Sequence, residues 1–183
     1  MSRDCPPASV LRPRVLLTLA AIVATLAGLA AHWWWLERTD AAARDIPALM
    51  VVTLADVQGH PQTLSQYRGK VLVINFWATW CAPCREEMPD LIKLQARYGE
   101  RGLQLVGVAI DEPTPVKAYL REMPTNYPIL IGGFAGIQYT RQAGDASGSL
   151  PFTLVLDRSG NRADAYLGRV DPRELEATLL PLL

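Results

Sequence analysis

The sequence predicts an α/β layered domain preceded by one apolar helix, and three observations carry that expectation. KVLVINFW and LQLVGVAID are nearly unbroken apolar runs with the length of strands buried on both faces of a sheet. Stretches of helical periodicity lie between and after those runs, as a layered α/β domain requires. Residues 15–36 carry no charged side chain at all. A length of 183 residues suits one domain with a real core plus an appendage. Lys plus Arg, 18, balance Asp plus Glu, 18, which argues against an electrostatic nucleic-acid binder. With only 3 cysteines, the chain is no disulfide-rich scaffold.

The appendage comes first. As a helix, residues 15–36 would rise roughly 33 Å, enough to cross a hydrocarbon core of about 30 Å. Arg3, Arg12 and Arg14 precede the run against Asp4 alone, so the positive-inside rule leaves residues 1–14 in the cytoplasm and sends the rest outward. Trp33, Trp34 and Trp35 have the character of an interfacial aromatic belt at the outer end. The expectation is a single-pass signal-anchor in the inner (cytoplasmic) membrane, with residues 49–183 forming a domain in an oxidising compartment, the periplasm in a Gram-negative host. A cleaved secretory signal is the alternative, with small-residue sites in GLA before Ala31 and AAA before Arg44. The length of the apolar run and its tryptophan flank favour the anchor. Cys5 precedes the run, has no partner nearby and reads as an incidental thiol.

Residues 37–48 are polar and alanine-rich and read as a tether. MVVTL and PQTL flank a polar stretch containing Gly59 and suggest a leading hairpin. KVLVINFW then supplies a buried strand, and REEMPDLIKLQARYGERG places Met88, Leu91, Ile92 and Leu94 at helical spacing, with a kink expected at Pro89. LQLVGVAID is the second buried strand, PVKAYLREM a short helix, YPILIG a strand and GIQYTRQAG a further helical stretch. PFTLVLD and RADAYLG flank a Ser-Gly-Asn turn and form a hairpin. Asp171 and Pro172 make an N-cap and first-turn pair for a C-terminal helix.

The chemistry concentrates in FWATWCAPCREEMP, where Cys81 and Cys84 lie three apart. A structural staple gains little here, because stabilisation by a disulfide grows with the loop it closes. A zinc site needs about four ligands, and the histidines, His32 and His60, have no ligand spacing to the pair. Two thiolates suit a soft ion such as Cu(I), so metal delivery is the alternative from another functional class. Thiol–disulfide exchange explains more residues. The pair follows a buried strand and opens a helix, where free N–H groups and the macrodipole favour a thiolate at Cys81. Pro83 is tolerated in the first helical turn. Cys81 would exchange with the substrate disulfide and Cys84 would resolve the mixed disulfide. Trp80 is expected to cover the site, whereas Trp77 reads as core.

VINFWATWCAPC resembles the active-site strand and turn of the thioredoxin superfamily, and REEMPDL together with the leading hairpin narrows the resemblance to the membrane-anchored TlpA-like and ResA-like reductases, over roughly residues 47–183. The resemblance implies a thioredoxin fold with an N-terminal β-hairpin extension and a central insertion. It also implies a cis proline at Pro151, in GDASGSLPFTLVLD, with Leu150 and Pro151 beside Cys81 and able to pair with an extended substrate segment. Trp80, Pro83, Leu150 and Pro151 are thus the expected substrate-binding residues. Where cytoplasmic thioredoxin carries a proton-shuttling aspartate, this chain has Asn75, and the glutamate of ResA-like members falls at Glu87, on the helical face of Cys84. Glu87 joins Cys81 and Cys84 as an expected catalytic residue; Glu86 points away.

What the resemblance implies for function is a protein-disulfide reductase without cofactor or resident metal, since the dithiol carries the electrons itself. Clients in the family include apocytochromes c awaiting haem and copper-site proteins. A reductant in an oxidising compartment must be recharged, so a CcdA- or DsbD-like membrane thiol-electron donor is the expected partner. Residues 134–149, ahead of Pro151, are expected to contribute to the docking groove.

Overall fold

In the computed structural model residues 13–183 are described; within its first helix side chains are described at Leu17, at 21–33 and from Ile46 onward. Residues 1–12, with Cys5 and most of the expected cytoplasmic segment, lie outside the described residues. The chain divides into two compact units, Met1–Asp40 and Ala41–Leu183.

The first unit contributes most of helix α1, Pro13–Val51. Leu17, Ile22, Val23, Leu26, Leu29 and Trp33 are all more than half exposed on it. Among the described residues no helix is long and apolar enough to cross a membrane. The expected span 15–36 includes positions whose side chains lie outside the description.

The second unit begins before residue 49. The stretch 37–48, read from its polarity as a tether, is helical throughout, and its end buries Ile46 while its continuation buries Leu49 and Met50. Three apolar side chains at helical spacing explain the difference, since burying them stabilises a helix whose other residues are charged, small or polar for the most part. There follow β1 (Thr53–Asp56), β2 (Pro61–Thr63), β3 (Val71–Trp77), α2 (Ala82–Tyr98), β4 (Leu103–Ala109), α3 (Pro113–Glu122), β5 (Ile129–Ile131), α4 (Ile137–Gln142), β6 (Phe152–Leu156), β7 (Arg162–Leu167) and α5 (Pro172–Leu179). The strands form one mixed sheet in the order β2-β1-β5-β4-β3-β6-β7. β3, β4 and β5 run parallel, whereas β1, β6 and β7 pair antiparallel with their neighbours. This is a thioredoxin-like α/β fold, extended by the β1–β2 hairpin and by the α3–β5 insertion.

Every residue of β3 is buried, so this inner strand separates two cores. On one face Val71, Val73 and Trp77 meet Met88, Leu91, Leu175 and Leu179 of α2 and α5. On the other Leu72, Ile74 and Phe76 meet the end of α1 and Ile137 of α4. The two hairpin turns are held by single carboxylates. Asp56 accepts from the N–H groups of Gln58 and His60, and Asp157 from those of Ser159 and Asn161. Asp171 caps α5 by accepting from Arg173 N at 2.8 Å, with Pro172 in its first turn. α2 continues through Pro89 as one helix.

Gly107 lies beside Asn75 in the β3–β4 register. A Cβ at Gly107 would stand 2.5 Å from Ile129 Cδ1 and 3.1 Å from Trp77 Nε1. The Trp77 ring is fully buried and packed against Tyr119, with centroids 5.4 Å apart, which limits how far it can shift. Gly107→Ala should therefore destabilise the fold by about 1–3 kcal/mol through overpacking, despite its gain in strand propensity. Urea unfolding monitored by tryptophan fluorescence measures this, and an unchanged midpoint would refute it.

Candidate active site

The end of β3 delivers the chain to the redox turn. A parallel strand leaves the sheet at its carboxyl end, beside the N-terminus of the helix that follows, and such edges are where α/β sheets bind ligands. Trp77 O accepts from Ile110 N at 2.7 Å, which pins the exit of β3 to the exit of β4. Ala78, Thr79 and Trp80 make the turn, and Cys81 becomes the N-cap of α2, its Sγ accepting from Cys84 N at 3.3 Å. Cys81 and Cys84 are joined as a disulfide.

The two sulfurs differ in access. Cys81 is 6% exposed and Cys84 is 0% exposed, so a second molecule reaches the first cysteine only. Pro83 is exposed in the first turn of α2. The Leu150–Pro151 peptide bond is cis, the isomer the resemblance implied. Pro151 is buried, and its carbonyl accepts from Gly168 N at 2.8 Å. Trp80 stands directly ahead of Cys81 in the turn. It is 61% exposed and, with Ile110, Phe134, Ile137, Gly148, Ser149 and Leu150, lines a groove of about 540 Å³. Trp77 holds the core position instead. A larger groove, about 590 Å³, lies between the leading hairpin and the insertion and carries no cysteine.

Beneath the helix sits a polar column. Glu87 is 1% exposed on the same face of α2 as Cys84, while Glu86 lies outward and pairs with Arg169 at 3.1 Å. Glu87 Oε1 accepts from Asn75 Nδ2 at 2.7 Å, and Oε2 from Val170 N at 3.2 Å. Asn75 Nδ2 also donates to Thr153 Oγ1 at 3.1 Å. Asn75, which cannot titrate, therefore holds the group that can. Burial raises the Glu87 pKa to about 7, against smaller lowering effects from Asn75, Val170 N–H and the Arg169 charge. Burial, and then the Glu87 charge, push the Tyr127 hydroxyl up. Among the described residues no group of three or more His, Cys, Asp or Glu is placed to hold a metal ion.

The sequence reading passed over Thr153, Val170 and Asp111. A threonine inside the apolar PFTLVLD and an aspartate closing LQLVGVAID were the available signals, each a polar group at a position of expected burial. Val170 acts through its backbone N–H, for which no side-chain signal exists.

A cysteine pair at a helix N-terminus, with a cis proline at the start of the strand that pairs with β3 and a buried carboxyl group one helical turn beyond Cys84, defines a thiol–disulfide exchange protein of thioredoxin architecture. The chain belongs to the redoxin family, whose model matches residues 41–179, and within it is a ResA-like thiol–disulfide oxidoreductase. It is 30% identical over 172 residues to thiol-disulfide oxidoreductase ResA of Geobacillus kaustophilus, covering 93% of each chain. With the thioredoxin-like protein YneN of Bacillus subtilis it shares 35% over 131 residues, 69% of this chain and 74% of that one. A thioredoxin-family thiol:disulfide interchange protein from Chlorobium tepidum TLS superposes with a TM-score of 0.62 at 28% identity, over 72% of this chain and 92% of the other.

The raised pKa of Glu87 fixes a pH dependence. A carboxyl group with pKa about 7 in the folded chain and 4.5 unfolded keeps its proton longer when folded, so its contribution is complete below pH 4.5 and is lost as pH rises through about 7. Wild-type stability should fall by roughly 3 kcal/mol across that window relative to Glu87→Gln. Urea midpoints of both proteins, taken from pH 4 to 8 in the disulfide form, test this; parallel curves would refute it.

Proposed function

We propose that this oxidoreductase works as a membrane-tethered, extracytoplasmic reductant of disulfides in client proteins. The observation that carries the reading is the division between an accessible Cys81 at the helix cap and a sealed Cys84 backed by Glu87. In the reduced protein the Cys81 thiolate attacks one sulfur of a client disulfide. A mixed disulfide forms and the other client sulfur leaves as a thiolate, which takes a proton from solvent. Cys84 then loses its proton to Glu87 and attacks Cys81 Sγ, and the second client sulfur leaves and is protonated. Two electrons and two protons have passed to the client, and the protein holds the Cys81–Cys84 disulfide. A group titrating near pH 7 is suited to accept the Cys84 proton and release it again.

Several features support the finer parts of this reading. Pro83 stands where strongly oxidising relatives carry a histidine that would stabilise the thiolate, so the reduced form is kept reactive. The exposed apolar side chains of α1 and the arginines before it suit insertion in a bilayer. Recharging from a CcdA- or DsbD-like membrane dithiol follows from an outward-facing reductant. The groove at Trp80, Phe134, Ile137 and Leu150 suits an extended client segment with a bulky apolar side chain near its cysteine, apocytochrome c and copper-site proteins being the client classes proposed.

The Cys81–Cys84 couple should equilibrate with glutathione or dithiothreitol on the reducing side of about −200 mV. A potential near the about −120 mV of DsbA would make the protein an oxidant. A tight stoichiometric Cu(I) complex with negligible dithiol exchange would replace the proposal with metal delivery. Cys84→Ser should accumulate mixed disulfides with clients at Cys81, and Cys81→Ser should accumulate none; mass spectrometry of non-reduced adducts reads both. Phe134→Ser should slow reduction of protein clients roughly three- to tenfold more than reduction of a small disulfide. Equal losses for both substrates would remove the groove from client selection.

A further inference from the structure

Asp111 lies two residues past the end of β4 and is 3% exposed. Among the described residues it joins no ion pair. A buried carboxylate without a counter-ion is costly and persists only where donors surround it. Its donors come from two places. Oδ2 accepts from Thr79 N at 3.0 Å and from Thr79 Oγ1 at 2.5 Å. Oδ1 accepts from Glu112 N at 2.8 Å, at the start of α3. Bonds of this kind, to an ionised acceptor, are about twice as strong as neutral ones. The carboxylate thus clasps the turn directly ahead of Cys81 and ties it to the neighbouring strand.

That turn has few other restraints. Thr79 lies two residues before Cys81, and the turn's own backbone bond, Cys81 N to Ala78 O, is a long 3.2 Å. The N-cap relation of Cys81 Sγ to Cys84 N–H depends on where the turn sets Cys81 down. A thiolate there is stabilised by the N-terminal N–H groups of α2 over short range only, so a small displacement of the turn weakens it.

We propose that Asp111 is the positioning residue of the redox turn: through Thr79 it sets Cys81 Sγ on the N-terminus of α2 and so determines how readily Cys81 reacts. The proposal rests on the reading of Cys81 as the nucleophile. Asp111 does not itself touch the reacting sulfur; it acts through Thr79 and through both of that residue's donors.

The test is the rate of iodoacetamide alkylation of the reduced, folded protein at fixed pH, with the labelled cysteine mapped by mass spectrometry. Thr79→Val keeps the backbone donor and removes Oγ1, and should slow alkylation of Cys81 roughly threefold to tenfold. Thr79→Ser restores the hydroxyl and should return the wild-type rate. Asp111→Asn separates position from field. Loss of a nearby negative charge by itself favours the thiolate and would speed alkylation, whereas loosening of the turn slows it; slower labelling is expected. Gln95→Ala is the stability control, because Gln95 Oε1 accepts from Leu105 N at 2.7 Å away from the site. It should lower the melting temperature and leave alkylation at the wild-type rate. Equal rates in all variants, or faster labelling in Asp111→Asn, overturn the role of Asp111. Wild-type labelling at Cys84 overturns the nucleophile assignment itself and the proposal with it.

Discussion

The hydrogen bond between Asn75 on β3 and Glu87 on α2 joins the centre of the sheet to the helix that carries both cysteines. It lies in a layer otherwise filled by Val73, Trp77, Met88 and Leu91, so a slip of α2 along the sheet would leave a carboxyl group and a carboxamide unpaired among hydrocarbon. The register of the helix is therefore set by one polar pair, and apolar packing, which tolerates small shifts, follows it. Val170 N–H completes the arrangement from the turn between β7 and α5. Gly168, in the same turn, donates to Pro151. The proline loop and the buried carboxyl group of α2 are thus anchored to one short segment.

Redox chemistry needs two sulfurs with different duties, and the fold separates them by depth. Helix geometry places Cys81 at the cap, where solvent and free N–H groups meet, and Cys84 a turn deeper, against the sheet. The same spacing sends Glu86 outward to Arg169 and Glu87 inward to Asn75, so two adjacent and chemically identical side chains differ in what they can do. Burial is the main cause of the difference. Glu87 has lost its hydration and holds its proton to about pH 7, while Glu86 is hydrated and ion-paired. The two tryptophans divide similarly. Trp77 points into the core, and Trp80 is exposed in the groove lined also by Phe134, Ile137 and Leu150.

Much of this was legible in the order of residues. Unbroken apolar runs are strands covered on both faces, and β3 and β4 follow KVLVINFW and LQLVGVAID closely because no other element can hide so many consecutive apolar side chains. The leading hairpin, the Ser-Gly-Asn turn and the Asp171 cap were readable because each depends on neighbours in sequence. The stretch 37–48 was misread for the complementary reason. Its composition is that of a tether, and its helix is stabilised by burial of Ile46, Leu49 and Met50 against strands far along the chain.

The sequence by itself determined which groups exist and at what local spacing: two thiols on one helical turn, a carboxyl group one further turn on, a proline before a strand. These are consequences of covalent order and helix period, which no partner can change. Tertiary structure alone decided what those groups became. Glu87 turned from a helix glutamate into a carboxyl group titrating near neutral pH when burial against the sheet stripped its water, an effect the bonds from Asn75 and Val170 N–H only partly offset. Asp111 turned from the end of an apolar run into the clasp of the cysteine turn when β4 paired beside β3. Desolvation and hydrogen-bond geometry are properties of the assembled surroundings, and those surroundings come from residues up to 83 positions away.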